Sequence, residues 1–307
     1  MLWRRTRQAL GAPTLKRYAA VIISQSEPPS VRLLLVSPSP RIVVDRVSRS
    51  YPRAQALDRV TVTIEPGEFV GVIGRSGAGK TTFLRCLAGV TAVTEGAVRI
   101  GPCNLAGLSA HQLRTHRAHD GMVFQQFNLV RRLRVLENIL VGRLAHLRGW
   151  RRWAALVWWF DKTEREIALR CLAHVGLLAL TWQRADTLSG GEQQRVAIAK
   201  VLAQAPALIL ADEPIASLDL ANAALVMETL RRVADETRLT VIATMHQVEA
   251  ARRYADRVLG FFQGRLVFDG PPTELSQQAL REIFGPVPDR PQSAVAEAAG
   301  EPAWAVS

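Results

Sequence analysis

Gly74-Arg75-Ser76-Gly77-Ala78-Gly79-Lys80-Thr81 decides how the rest of this 307-residue chain is read. The stretch matches GxxxxGK[ST]. It follows a short apolar run, Phe69–Ile73, and leads into Thr81–Leu87, which reads as the start of a helix. Strand, glycine loop and helix in that order make a phosphate cradle. The glycines let successive backbone N–H groups turn inward, and the helix N-terminus adds a favourable dipole. In such a loop Lys80 can reach the β- and γ-phosphates of a nucleotide, and the Thr81 hydroxyl can ligate Mg²⁺.

Outward from this loop, strands alternate with helices. Arg41–Val47 and Val60–Ile64 read as strands separated by a loop, Ser48–Ala56. Gly121–Gln125, Leu208–Ala211 and Leu239–Thr244 are further short apolar strands, and Gln193–Gln204 and Ala221–Glu236 read as helices. The alternation predicts an α/β fold on a mostly parallel sheet. Residues 128–190 interrupt it with Arg- and Leu-rich helical sequence, which predicts an inserted helical subdomain. The expected organisation is a basic extension over residues 1–40, one domain over 41–284, and a disordered tail over 285–307. The extension carries five prolines and no sustained period, and reads either as a disordered arm or as a start placed too far upstream.

Composition narrows the class. With 48% apolar and 21% charged residues the chain is neither collagen-like nor wholly disordered. The longest unbroken apolar stretch, Trp153–Phe160, is eight residues, against about 20 for a membrane-spanning helix. Cys86, Cys103 and Cys171 are far apart and suggest neither a disulfide framework nor a metal site. The formal charge of +12 is concentrated: residues 1–40 carry a net +5 and residues 131–152 a net +6. A nucleic-acid binder would spread its basic residues over a broad face, so no nucleic-acid partner is expected.

Leu208-Ile209-Leu210-Ala211-Asp212-Glu213-Pro214 is an apolar strand ending in two carboxylates. Beside a phosphate loop they divide the work: Asp212 holds Mg²⁺, and Glu213 polarises the attacking water. Leu188-Ser189-Gly190-Gly191-Glu192-Gln193-Gln194-Arg195 places two glycines ahead of a helix, a second cluster of backbone donors.

This last sequence resembles the signature of the ABC (ATP-binding cassette) ATPases, and other motifs fall in the family's order over residues 41–280. Gln125 resembles the Q-loop glutamine, which would join Thr81 and Asp212 on the metal. Ser217-Leu218-Asp219 resembles the D-loop. His246 resembles the switch histidine, and Tyr51 the aromatic that stacks on adenine. The resemblance implies a P-loop cassette with a small antiparallel β subdomain and a helical subdomain. ATP would be bound by Tyr51, Gly74, Arg75, Ser76, Gly77, Ala78, Gly79, Lys80, Thr81, Thr82 and Asp212. Glu213, His246 and Gln125 would be catalytic. It also implies a second ATPase subunit, with Ser189, Gly190, Gly191 and Asp219 acting across the dimer.

Lys80 to Ser189 spans 109 residues, too short for the coiled coil of chromosome or repair members. One set of motifs disfavours the two-cassette translation type. The Q-loop neighbours Phe124–Leu133, the segment around Glu213, and Met245-His246-Gln247-Val248 together resemble the ATPase subunit of phosphonate importers. That implies permease subunits, a periplasmic solute-binding protein and a peripheral place on the cytoplasmic face of the inner membrane. Another small solute, such as phosphate, phosphite or an amino acid, is the alternative within transport. The Arg- and Trp-rich stretch Gly142–Phe160 is either a helix packing its aromatics on the subdomain core or a contact with permease or lipid headgroups.

Overall fold

The computed structural model describes residues 38–117, 120–147, 149, 153, 155 and 160–285. The expected extension and tail lie almost wholly outside these. So do Arg148, Trp150, Arg151, Arg152, Trp158 and Trp159 of the Arg/Trp stretch.

The chain opens with a long hairpin, β1 (Ile42–Tyr51) and β2 (Ala54–Ile64), followed by β3 (Phe69–Ile73) and helix α1 (Lys80–Leu87). Next come β4 (Glu95–Ile100), β5 (Cys103–Asn104), α2 (Ala110–Arg117) and β6 (Asp120–Val123). Helices α3 (Val135–Gly142) and α4 (Lys162–His174) form the inserted subdomain, and α5 (Gly190–Ala203) returns to the sheet. The remainder is β7 (Leu208–Ala211), α6 (Leu220–Thr237), β8 (Thr240–Thr244), α7 (Val248–Tyr254), β9 (Arg257–Phe262), β10 (Arg265–Gly270) and α8 (Gln277–Phe284).

Six strands form the core sheet in the order β10-β9-β3-β8-β7-β6. All its pairings are parallel except β9 with β10. The other sheet, β2-β1-β4-β5, is antiparallel. Strands β3, β7 and β8 are buried at every position, as strands covered on both faces must be. Their side chains alternate between two cores. Phe69, Ile73, Ile209, Ala211, Val241 and Ala243 join the helical side. Val70, Val72, Leu208, Leu210 and Ile242 join the side covered by Phe83, Leu84 and Leu87 of α1 and by the antiparallel sheet.

Two expectations need correction. The loop expected over Ser48–Ala56 is instead a hairpin that pairs as far as Tyr51 with Ala54. Tyr51 therefore ends a strand, and only Pro52 and Arg53 turn the corner. The extension expected to reach residue 40 ends earlier. Ser39 Oγ donates to the Ala207 carbonyl (2.9 Å) and accepts from Thr240 N–H (2.9 Å), which fastens it between the approaches to β7 and β8.

Arg143 holds the helical subdomain together by a buried ion pair and ties it to the body by a hydrogen bond. Arg143 Nε lies 2.6 Å from Glu164 Oε2, and Arg143 Nη1 donates to the Ala203 carbonyl at the end of α5. Within the Gly142–Phe160 stretch Arg143 is buried and Phe160 is in the core, whereas Trp153 is 74% exposed.

Candidate nucleotide site

Parallel strands all end at one edge of the sheet, and ligands of such sheets bind beyond the strands' carboxyl ends. The phosphate loop follows β3, Asp212 and Glu213 follow β7, His246 follows β8, and Gln125 follows β6. The fold itself therefore gathers residues that are up to 172 positions apart in sequence.

Gly79 caps α1 in the left-handed region, φ 104°, and no side chain bonds the first free N–H groups of the helix. A Cβ at Gly79 would stand 2.4 Å from the Ala56 carbonyl oxygen, and one at Gly74 would stand 2.3 Å from that of Phe261. Both positions require glycine. Arg75, Ser76 and Gly77 are exposed along the loop, Ala78 is buried beneath it, and Thr82 lies half-buried in the first turn. The buried Lys80 ammonium spans the loop, donating to the carbonyls of Gly74 (2.8 Å) and Arg75 (3.0 Å). Burial holds its pKa below the usual lysine value, and the charges of Glu213 and Asp212 offset part of that shift.

Facing the loop, Asp212 Oδ1 accepts from the Thr81 hydroxyl and from the Thr244 hydroxyl, each at 3.0 Å. Thr244 Oγ1 also accepts from Glu213 N–H at 2.7 Å. That bond pins Glu213 in a left-handed conformation, φ 51°, which costs a non-glycine residue about 1–3 kcal/mol. The Glu213 carboxylate then meets His246, with Oε1 2.6 Å from Nε2. Thr244 was not among the residues singled out in the sequence. Its signal was a hydroxyl ending an otherwise apolar strand, Thr240-Val241-Ile242-Ala243-Thr244.

Gln125 is exposed just past β6. Strand β6 pairs with β7 up to Val123 beside Ala211, and among the described residues Gln125 makes no hydrogen bond to Thr81 or Asp212. Thr81 Oγ1 and Asp212 Oδ1 fit a Mg²⁺ ion: both are hard oxygen donors, and their 3.0 Å separation is close to the edge of an octahedron with bonds of about 2.1 Å.

The second glycine cluster is built differently. Ser189 caps α5, accepting from Glu192 N–H (3.3 Å), while Glu192 Oε2 accepts from Ser189 N–H (2.8 Å). Gly190 and Gly191 are the first residues of that helix rather than a loop before it. A Cβ on Gly191 would fall 2.4 Å from Asn222 Oδ1, and one on Gly190 would fall 3.1 Å from Leu218. Asn222 in turn is held by Asp219, which caps α6. The signature glycines and Asp219 thus share one surface, and beside them Leu220 is 80% exposed.

The family model for ABC transporters matches residues 57–216. This chain belongs to the ABC transporter family. It is 46% identical over 243 residues to a phosphonates import ATP-binding protein of Rhodopseudomonas palustris (strain BisB5), covering 79% of this chain and 89% of that protein. It is 48% identical over 245 residues to the same protein of Thiobacillus denitrificans, covering 79% and 92%. Among solved structures, the ATP-binding cassette MJ0796 in a dimeric post-hydrolysis state with ADP and Pi superposes with a TM-score of 0.66 at 32% identity, over 75% of this chain and 98% of that one. The cassette cbiO1 of Clostridium perfringens, at 24% identity and a TM-score of 0.68, shares the fold over 80% of this chain and 95% of its own. Within this ABC protein the matched residues 57–216 include Gly74–Thr81, Asp212–Glu213 and Gly190–Gly191.

Proposed function

We propose that this chain is the ATP-hydrolysing subunit of a phosphonate importer, acting as a pair of copies on the cytoplasmic side of a permease. The observation that carries the solute assignment is the 46–48% identity to phosphonate import proteins over nearly their whole length. The site's geometry supports the chemistry.

The loop amides, Lys80 and Thr81 bind the β- and γ-phosphates, and Tyr51 receives the adenine. Thr81 and Asp212, joined by Gln125, would hold Mg²⁺, which would supply neutralisation of charge on the phosphate oxygens. Glu213 orients a water in line with the γ-phosphorus. As the water oxygen bonds to phosphorus, the bridging bond to the β-phosphate breaks, giving ADP and inorganic phosphate. His246, 2.6 Å from Glu213, holds that carboxylate and reaches the γ-phosphate. Ser189, Gly190, Gly191 and Asp219 of a second copy close the site from the other side.

The permease meets the chain near Gln125. A cavity of about 200 Å³ opens there between β6, Phe124, Phe127 and α5, with the buried Asp120 in its wall. Burial pushes the Asp120 carboxyl up to about 7. Among the described residues no helix is long and apolar enough to cross a membrane, which fits a subunit held by its permease. The solute is selected by the permease and a periplasmic binding protein.

The test is a deletion strain lacking other phosphonate importers, supplied with an alkylphosphonate as sole phosphorus source. Loss of growth and of labelled uptake, restored by the wild-type chain but not by Glu213→Gln, is the expected result. Normal uptake in the deletion strain would reject the solute assignment.

A further inference from the structure

Tyr51 ends β1, and Arg49, two residues earlier, projects from the same face of the sheet. The Arg49 guanidinium carbon lies 4.6 Å from the centroid of the Tyr51 ring, within cation–π range. The guanidinium is held there by Nη1, which donates to the Ala92 carbonyl at 3.0 Å, while Nε is buried with no hydrogen-bond partner among the described residues. The same connecting segment holds the strand a second time. Ser50 N–H donates to Thr94 Oγ1 (3.1 Å) and Thr94 N–H donates to the Ser48 carbonyl (2.8 Å). That segment follows α1 directly, with Thr91 N–H bonded to the Arg85 carbonyl. The aromatic is therefore tied, through Arg49, to the far end of the helix whose beginning binds phosphate. On the facing strand, at the same end of the hairpin, Ala56 packs against Gly79 of the phosphate loop. Meanwhile 41% of the Tyr51 surface is exposed.

We propose that Arg49 is a positioning residue for the nucleotide base: it braces one face of the Tyr51 ring so that a purine stacks on the opposite face. The proposal rests on the reading of Tyr51 as the adenine-stacking residue. A tyrosine at a strand end has two side-chain torsions to lose on binding. A cation seated on one face removes most of that freedom beforehand, so stacking costs less order. The brace acts on the base alone, because Arg49 bonds no residue of the phosphate loop among the described contacts.

The experiment measures dissociation constants of the full-length protein for ATP and for inorganic tripolyphosphate, which has the phosphates and no base. The variants are Arg49→Met, which keeps the packed stem, Arg49→Lys, which keeps a cation, Tyr51→Ala, and the double variant Arg49→Met/Tyr51→Ala. Arg49→Met is expected to weaken ATP about fivefold, on the scale of one partly buried cation–π contact, and to leave tripolyphosphate unchanged. Arg49→Lys should restore most of the loss, and in the double variant Arg49→Met should add nothing to Tyr51→Ala. If Tyr51→Ala leaves ATP affinity unchanged, the base is elsewhere, and the adenine reading falls together with the brace. If Tyr51→Ala weakens ATP but Arg49→Met does not, only the brace is overturned. Equal loss for ATP and tripolyphosphate would mean Arg49 merely supports the fold. Tighter ATP binding by Arg49→Met would mean it occupies the face the base needs, and either result overturns the proposal.

Discussion

The edge of the core sheet and the signature surface both present backbone donors at a helix N-terminus, but they are finished to different degrees. At the sheet edge one chain supplies everything: the amides of α1, a buried lysine, and Thr81, Asp212 and Thr244 locked by two 3.0 Å bonds. Lys80, Asp212 and Thr244 there are buried and partnered within the same chain. On the signature surface Ser189 and Asp219 are exposed, their side chains capping their own helices. Leu220 stands out beside them with no cover. A finished half held by buried hydrogen bonds and an outward half whose polar groups serve as helix caps fit the proposed division of the site between two copies. Changes in the first should abolish chemistry in each copy, and changes in the second should abolish only what two copies do together.

The largest expected effect lies in the finished half. Glu213→Gln should lower ATP hydrolysis by roughly 100-fold or more while ATP still binds, since it removes the group that orients water. Steady-state phosphate release compared with equilibrium ATP binding checks this. Wild-type turnover in the variant would move the water-orienting role elsewhere.

Next in size is Thr244→Val. Two hydrogen bonds vanish, and the Glu213 N–H is left buried without its acceptor. The loss should be about 1–3 kcal/mol, read as a lower melting temperature, with hydrolysis down about tenfold. Thr244→Ser keeps the hydroxyl and should keep both. If Thr244→Val were as active as wild type, the site would not depend on that lock.

In the outward half, Gly191→Ala places a methyl group 2.4 Å from Asn222 Oδ1. We expect ATP affinity of the single copy to change less than twofold while hydrolysis falls at least tenfold, because the surface facing the second copy is displaced. Parallel loss of binding and hydrolysis would erase the contrast between the halves. The smallest effect on stability belongs to Asp219→Ala, which removes one exposed helix cap and should shift the denaturant midpoint only slightly, while hydrolysis falls and ATP affinity of the single copy holds.

How legible this was in the sequence follows the same division. The buried strands β3, β7 and β8 were read almost to the residue, because runs covered on both faces are predominantly apolar, and β3 and β7 are closed by Gly74 and Asp212. Motif spacing located Lys80, Asp212, Glu213 and His246, and the structure brings all four to one edge. The hairpin to Tyr51 was misread, since Ser48-Arg49-Ser50 and Pro52-Arg53 look like a loop. What extends the strand is pairing with β2, a long-range contact that polar composition hides. Thr244 was passed over because one hydroxyl at the end of an apolar run has no periodic signature. Ser39 was placed in the extension because its two partners, Ala207 and Thr240, lie more than 160 residues away. Strands β4, β5, β9 and β10 also escaped notice, being short or mixed in polarity.

The division of the site between copies is tested most directly by the mass in solution of the Glu213→Gln chain with and without ATP and Mg²⁺, measured by light scattering during gel filtration. The account expects one copy without nucleotide and two copies with it, and it expects Glu213→Gln/Gly191→Ala to bind ATP yet stay a single copy. A single copy at saturating ATP, or a nucleotide-bound pair that survives the Gly191 change, would contradict it.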